Sequence, residues 1–171
     1  MALVTAMLAY PVLNVADIGM YAYQSMQVAN AAQAGARAAW SICSNSTMWP
    51  ATANCGVSGA TLTSSVTTGI HTTSLGSNVS LASGYPKEGY YCATTTNALT
   101  LAPGPAVSAG STPTTASTCA AVANASNTAA VPGDYVSVSV TFTYTPLFTG
   151  VPTVASLLPS PVTSTAWQRM T

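Results

Sequence analysis

The sequence predicts an α+β chain: one long N-terminal hydrophobic α-helix followed by a small, disulfide-bonded, β-rich head. Three observations carry this. Residues 2–42 are dominated by Ala, Met, Leu and Gln, with Pro11 the one proline before Pro50, a composition that favours helix. Beyond them the texture turns to Ser, Thr, Gly and Pro, and several stretches alternate apolar and polar side chains as strands do. All four cysteines, Cys43, Cys55, Cys92 and Cys119, fall in that second part. With 171 residues a single head is the default, so we divide the chain into a helix over 1–42 and a head over 43–171.

The helix comes first. Residues 2–13 are apolar except Thr5, and Asp17 is the only charge before residue 30. A membrane span needs about 20 apolar residues, and an intramembrane Asp costs roughly 2.5–3.5 kcal/mol on insertion scales. Asn14 and Asp17 therefore make this a marginal span, suited to a chain that enters a bilayer and later leaves it. At 1.5 Å per residue the rod is roughly 60 Å long, and Pro11 should kink it by freeing the carbonyl of Met7. Residues 28–40 are nearly all small, and Ala31 with Gly35 fits the small-xxx-small pattern, which predicts close helix packing.

In the head, Leu62, Val66 and Ile70 recur at helical spacing, predicting an amphipathic helix over 62–75 with Gly76 as its stop. Strands are expected over 78–82, 89–95, 98–101, 135–144 and 162–170. The clearest is 135–144, with Val136, Val138, Val140, Phe142 and Tyr144 on its buried face and Tyr135 with Ser and Thr on the other. Residues 103–127, rich in Ala, Ser, Thr, Pro and Gly, read as a long surface loop tied down by Cys119.

Four cysteines allow three pairings, and an exported chain would oxidise them. Zinc is disfavoured because no C-x-x-C spacing occurs and His71 is the only histidine. Short loops close most readily, which predicts Cys43 with Cys55 and Cys92 with Cys119.

Only 4% of residues are charged, three basic and three acidic, against roughly 25% in an ordinary soluble domain. A neutral, charge-poor surface favours association, and without clustered Lys and Arg nucleic acid is not an expected partner. Hydrophobic residues at 49% argue against disorder. Catalysis needs titratable groups brought together, and Asp17, Glu88, Asp134 and His71 are the whole supply of acids and histidine. A triad of His71, Asp134 and some serine lacks any G-x-S-x-G elbow. No phosphate-cradling glycine loop or haem motif occurs either, so neither an enzyme nor a cofactor is expected. The sequons at Asn45, Asn78 and Asn124 are unsurprising in so Ser- and Thr-rich a chain.

Taken together, Pro11 in an apolar run, Asp17-Ile18-Gly19, and Asn30-Ala31-Ala32-Gln33-Ala34-Gly35-Ala36-Arg37 resemble the N-terminal signature of TadE-like proteins. These are minor pilin or pseudopilin components of tight-adherence (type IVc) pili. The likeness covers about 40 residues and none of the head. It implies a pilin-like architecture whose N-terminal helices bundle into an extracellular helical filament for surface attachment and biofilm, with insertion in the inner membrane before assembly. It also admits other pilins as partners. Assembly would rest on Met1, Thr5, Pro11, Asp17, Gly19, Gly35 and Arg37. Pilins usually carry a Glu where Thr5 stands, and the absence of a basic leader suggests that Met1 is the first residue of a processed chain. Two other readings are a minor component of a pilus tip or assembly machine, and a membrane-anchored exported binding domain.

Asp17 and Arg37 lie 20 positions apart, roughly 30 Å along one rod, so they could pair only between copies, where they would set axial register. Alternatively Arg37 faces water at the base of the head, and Asp17 is satisfied by Asn14, Tyr21 or a neighbour's N-terminal amine.

Overall fold

The computed structural model describes residues 2–55, 60–114, 118–148 and 158–170, with the side chains of 2–8, 46 and 60 left aside. Helix α1 spans Ala2–Ile42 and continues through Pro11, as the composition predicts. Its buried positions are Asp17 and, three turns on, Val28, Ala31, Ala32, Gly35, Ala36 and Ala39, the last six at helical spacing, so one stripe of the helix faces inward. That stripe packs against α3 (Ala60–His71), β5 (Gly133–Phe142) and β6 (Val162–Arg169).

Small residues explain how closely α1 and α3 approach. A Cβ on Gly69 would lie 2.6 Å from the Ala38 Cβ and 3.2 Å from the Ala34 carbonyl oxygen. At Gly35 it would lie 2.7 Å from Ile70 Cγ2 and 3.0 Å from Val138 Cγ1. The close packing expected of residues 28–40 is therefore made within the chain's own core. Leu62, Val66 and Ile70 point inward as their spacing requires. Helix α3 nevertheless stops at His71, short of Gly76, which instead opens a 3-10 turn over Gly76–Asn78. The hydroxyls of Thr72 and Thr73 donate to the carbonyls of Gly69 and Ile70, competing with the backbone for the helix's last acceptors.

The sheet is antiparallel, with β1 at Val79–Leu81, β2 at Lys87–Ala93, β3 at Leu99–Leu101 and β4 at Val107–Ser108. Strand β5 is central. On one edge it pairs with β6 from Tyr135↔Arg169 to Phe142↔Val162; on the other it meets β2 through Gly133–Ser137 and β1 through Val140–Phe142. Strands β3 and β4 line the far edge of β2. Strand β4 falls in the stretch read as loop, because two residues are too few to display a period. Val136, Val138, Val140, Phe142 and Tyr144 are buried, as predicted. Ser137 and Ser139, on the opposite face, are buried too. The Ser137 hydroxyl donates to the Lys87 carbonyl and Thr165 donates to the Ser139 oxygen, which satisfies groups that would otherwise be costly to bury.

The disulfides are Cys43–Cys55 and Cys92–Cys119, the sequence-local pairing. The first ties the end of α1 to the short helix α2 (Ala51–Asn54). Nearby, the Trp49 indole donates to the Cys43 carbonyl at 2.9 Å. Among the described residues no helix is long and apolar enough to cross a membrane; Asn14, Asp17, Gln24 and Ser25 interrupt the apolar run of α1.

Candidate assembly surface and buried acids

The N-terminal part of α1 leaves the core. None of residues 9–16 is buried, and Tyr10, Val12 and Val15 are 46%, 66% and 68% exposed. Ile18, Tyr23 and Met26 continue the outward apolar surface past the point where the opposite side of the helix docks on the head. So many large apolar groups along one element exceed the scattered exposure normal in a monomer.

The residues named from sequence divide between this surface and the interior. Pro11 and Gly19 are exposed, and nothing lies within 4 Å of where a Gly19 Cβ would sit. Gly35 is inside, against Ile70 and Val138. Arg37 is exposed, on a groove of about 450 Å³ between α1 and β6. Met1 lies outside the described residues; Thr5 belongs to α1, its side chain undescribed.

Asp17 is fully buried, and its partner is one that sequence reading did not consider. The Leu147 backbone N–H donates to Asp17 Oδ1 at 3.0 Å, and the Tyr144 hydroxyl donates to the Asp17 carbonyl at 3.1 Å. Two of the expected partners make hydrogen bonds of their own: Asn14 donates to the Tyr10 carbonyl and Tyr21 to the Pro159 carbonyl. Tyr21 also packs edge-to-face on Tyr144, with centroids 5.2 Å apart. Burial, and then the Asp17 charge, push the Tyr144 phenol above its ordinary range. Asp17 thus anchors the chain leaving β5 to the helix.

The other two acids meet each other. Glu88 on β2 stands opposite Val136, and Asp134 stands opposite Tyr90, so both project from one face of the β2–β5 ladder. Glu88 accepts hydrogen bonds from the backbone N–H groups of Ala51 (2.6 Å) and Thr52 (2.7 Å) and from the Thr52 hydroxyl. Its carboxylate thereby holds the first turn of α2 against the sheet. Burial pushes Asp134 up to about 8, with the Glu88 charge and a hydrogen bond to Glu88 adding to the rise, while a backbone hydrogen bond at Tyr135 opposes it. Asp134 therefore keeps its proton near neutral pH and stands as a neutral donor beside Glu88. Burial, then Asp134 and Glu88, raise the Tyr90 phenol as well. Neither described cavity is lined by Glu88 or Asp134. No three His, Cys, Asp or Glu side chains come together among the described residues. His71 sits at the end of α3 with Nε2 3.1 Å from the Val79 carbonyl oxygen.

No family model, characterised protein or solved structure matches the chain.

Proposed function

We propose that the chain is a structural, pilin-like subunit that assembles through α1 into an extracellular filament, with its head outward. The observation that carries this reading is the row of exposed apolar side chains at Tyr10, Val12, Val15 and Ile18, on a helix whose following turns are locked to a disulfide-bonded head. Burying each such side chain in a bundle of neighbouring helices contributes about 1.5–3 kcal/mol, enough over several residues and several neighbours to hold a polymer. The TadE-like resemblance of about the first 40 residues, carried by Pro11, Asp17-Ile18-Gly19 and the segment from Asn30 to Arg37, points the same way, and with it come insertion in an inner membrane before assembly and a role in surface attachment. Asp17 and Leu147 fix where the head ends and the free helix begins.

The test is a doubly substituted chain, Val12→Asp with Val15→Asp, expressed with the assembly machinery of its source. The wild-type chain should dominate sheared filaments seen by electron microscopy. The variant should remain cell-bound and unpolymerised, with the melting of its head unchanged, because neither side chain touches the core. Filaments of normal abundance from the variant would sink the proposal. Trace stoichiometry of the wild-type chain in filaments built from another subunit would make it a minor component.

A further inference from the structure

Formal net charge zero conceals an asymmetry between inside and outside. Asp17 and Glu88 have no accessible surface and Asp134 is 2% exposed. Arg37 and Arg169 are exposed and Lys87 is half-buried. The chain therefore offers solvent only positive side-chain charge.

The sheet face turned away from α1 gathers two of these cations around an aromatic cluster. On β6, Val162 and Ala166, with Met170 just beyond, are buried on the inner side, so Thr163, Thr165, Trp167 and Arg169 form the outer row, and all four are exposed. Lys87, Ser137 and Trp167 stand in one cross-strand row. Tyr91 packs edge-to-face on both Trp167 (4.9 Å between centroids) and Tyr135 (5.9 Å). Two glycines seat these rings: Tyr91 stands opposite Gly133 and Tyr135 opposite Gly89. A Cβ on Gly133 would come within 2.9 Å of the Tyr135 ring, and one on Gly89 within 3.3 Å of the Tyr91 ring. Glycine within a strand weakens it unless a close approach requires it; here aromatic rings make that approach.

Concave surface flanks the cluster on both sides. A hollow of about 170 Å³ is lined in part by Tyr91, Asn127, Tyr135 and Arg169. The groove of about 450 Å³ is lined in part by Gln33, Arg37, Thr165 and Trp167. Trp167 and Arg169 lie between them on one strand, and Trp167 keeps 48% of its surface exposed despite its packing.

We propose that this face binds an acidic polysaccharide, Trp167 stacking on the apolar face of a sugar ring and Arg169 pairing with its carboxylate. An amphipathic indole suits a surface that is apolar on its faces and hydroxylated at its rim. Guanidinium presents a fork of donors matched to a carboxylate. The amide of Asn127 on the hollow beside Arg169, and the hydroxyl of Thr165 beside Trp167, stand ready for the ring hydroxyls. The outer row from Thr163 to Arg169 runs roughly 20 Å along β6, a track for an extended chain. Nucleic acid would need a run of phosphate contacts and a series of stacking platforms, whereas three cations are all this chain presents. The binding face is separate from the apolar N-terminal surface of α1 and does not depend on filament formation.

The experiment uses the full chain held unassembled in non-ionic detergent, titrated calorimetrically with an oligogalacturonate, its methyl ester and a single-stranded oligothymidylate. The oligogalacturonate should bind saturably, at least about tenfold more tightly than the ester, as a charge-assisted hydrogen bond implies. Trp167→Ala should lose binding to both sugars by about tenfold or more. Trp167→Phe should recover part of that loss, and Arg169→Gln should erase the preference for the free acid. The comparison of acid with ester needs no variant, so a misfolded mutant cannot obscure it. Equal binding of acid and ester, no binding of the acid by the folded chain, or tighter binding of oligothymidylate would each overturn the proposal.

Discussion

Asp134→Asn should flatten the pH dependence of the head's stability. The Asp134 carboxyl rises from 3.8 to about 8 on folding, so the folded state holds a proton that the unfolded chain releases. The sign follows: stability from this group is complete below about pH 4 and is lost as pH rises toward 8, where the folded carboxyl ionises beside Glu88. A proton held by one state alone gives at most about 1.4 kcal/mol per pH unit. From the Asp134 shift we expect a loss of about 2 kcal/mol or more between about pH 5 and pH 8. For a chain of this length that lowers the melting temperature by roughly 4–8 °C. Asparagine keeps an N–H donor aimed at Glu88 and carries no titrating proton, so its melting temperature should stay level and exceed that of wild type at pH 8 and above.

The measurement is thermal melting by circular dichroism at steps from about pH 5 to pH 9, disulfides intact, in a His71→Gln background that keeps the histidine out of the profile. Few other groups interfere, since Asp17 and Glu88 are the only other acids and no cysteine is free. A flat wild-type profile, or an Asp134→Asn profile parallel to wild type, would refute the account of a proton held by buried Asp134.

Two further outcomes test the packing of α1. Gly69→Ala places a methyl 2.6 Å from the Ala38 Cβ and should destabilise by about 1–3 kcal/mol in urea unfolding despite its better helix propensity; adding Ala38→Gly should recover part of the loss, and strict additivity would deny the contact. Leu147→Pro removes the N–H that Asp17 accepts and should cost about 1–3 kcal/mol, while Leu147→Ala, at a side chain 54% exposed, should change little.

What could be read in advance follows from the range of each signal. The long helix, the strand through Val136–Phe142, which stops two residues short of its expected end, and the nearer disulfide partners are local patterns, and each is present. Helix α3 and the small residues facing it are also local in origin, though the end of α3 depends on threonine hydroxyls that pattern reading does not weigh. The acids were opaque for the opposite reason. Glu88 and Asp134 meet only because β2 and β5 pair in one register, and a register shifted by one residue would put them on opposite faces. The outer aromatic face has the same origin: Tyr91, Tyr135, Trp167 and the two glycines are unremarkable in sequence until three strands align them. The partner of Asp17 is a backbone N–H 130 positions away, which no side-chain motif encodes.

Asp17 then bears on how copies of the chain could be held in register. Pairing with Arg37 of a neighbouring copy would neutralise both charges, and Oδ2 of Asp17 has no hydrogen-bond partner among the described residues. That oxygen is nevertheless sealed inside, since the whole residue has no accessible surface. A guanidinium could reach it only by displacing the segment from Tyr144 to Leu147, breaking two hydrogen bonds and the Tyr21–Tyr144 packing. The ion pair would have to offset those losses as well as its own desolvation, which in buried pairs often matches or exceeds the Coulomb gain. Arg37, exposed on its groove beside β6, needs no such partner. The two charges of α1 therefore sit in different settings, Asp17 sealed where the head takes hold of the helix and Arg37 facing solvent on the head's flank.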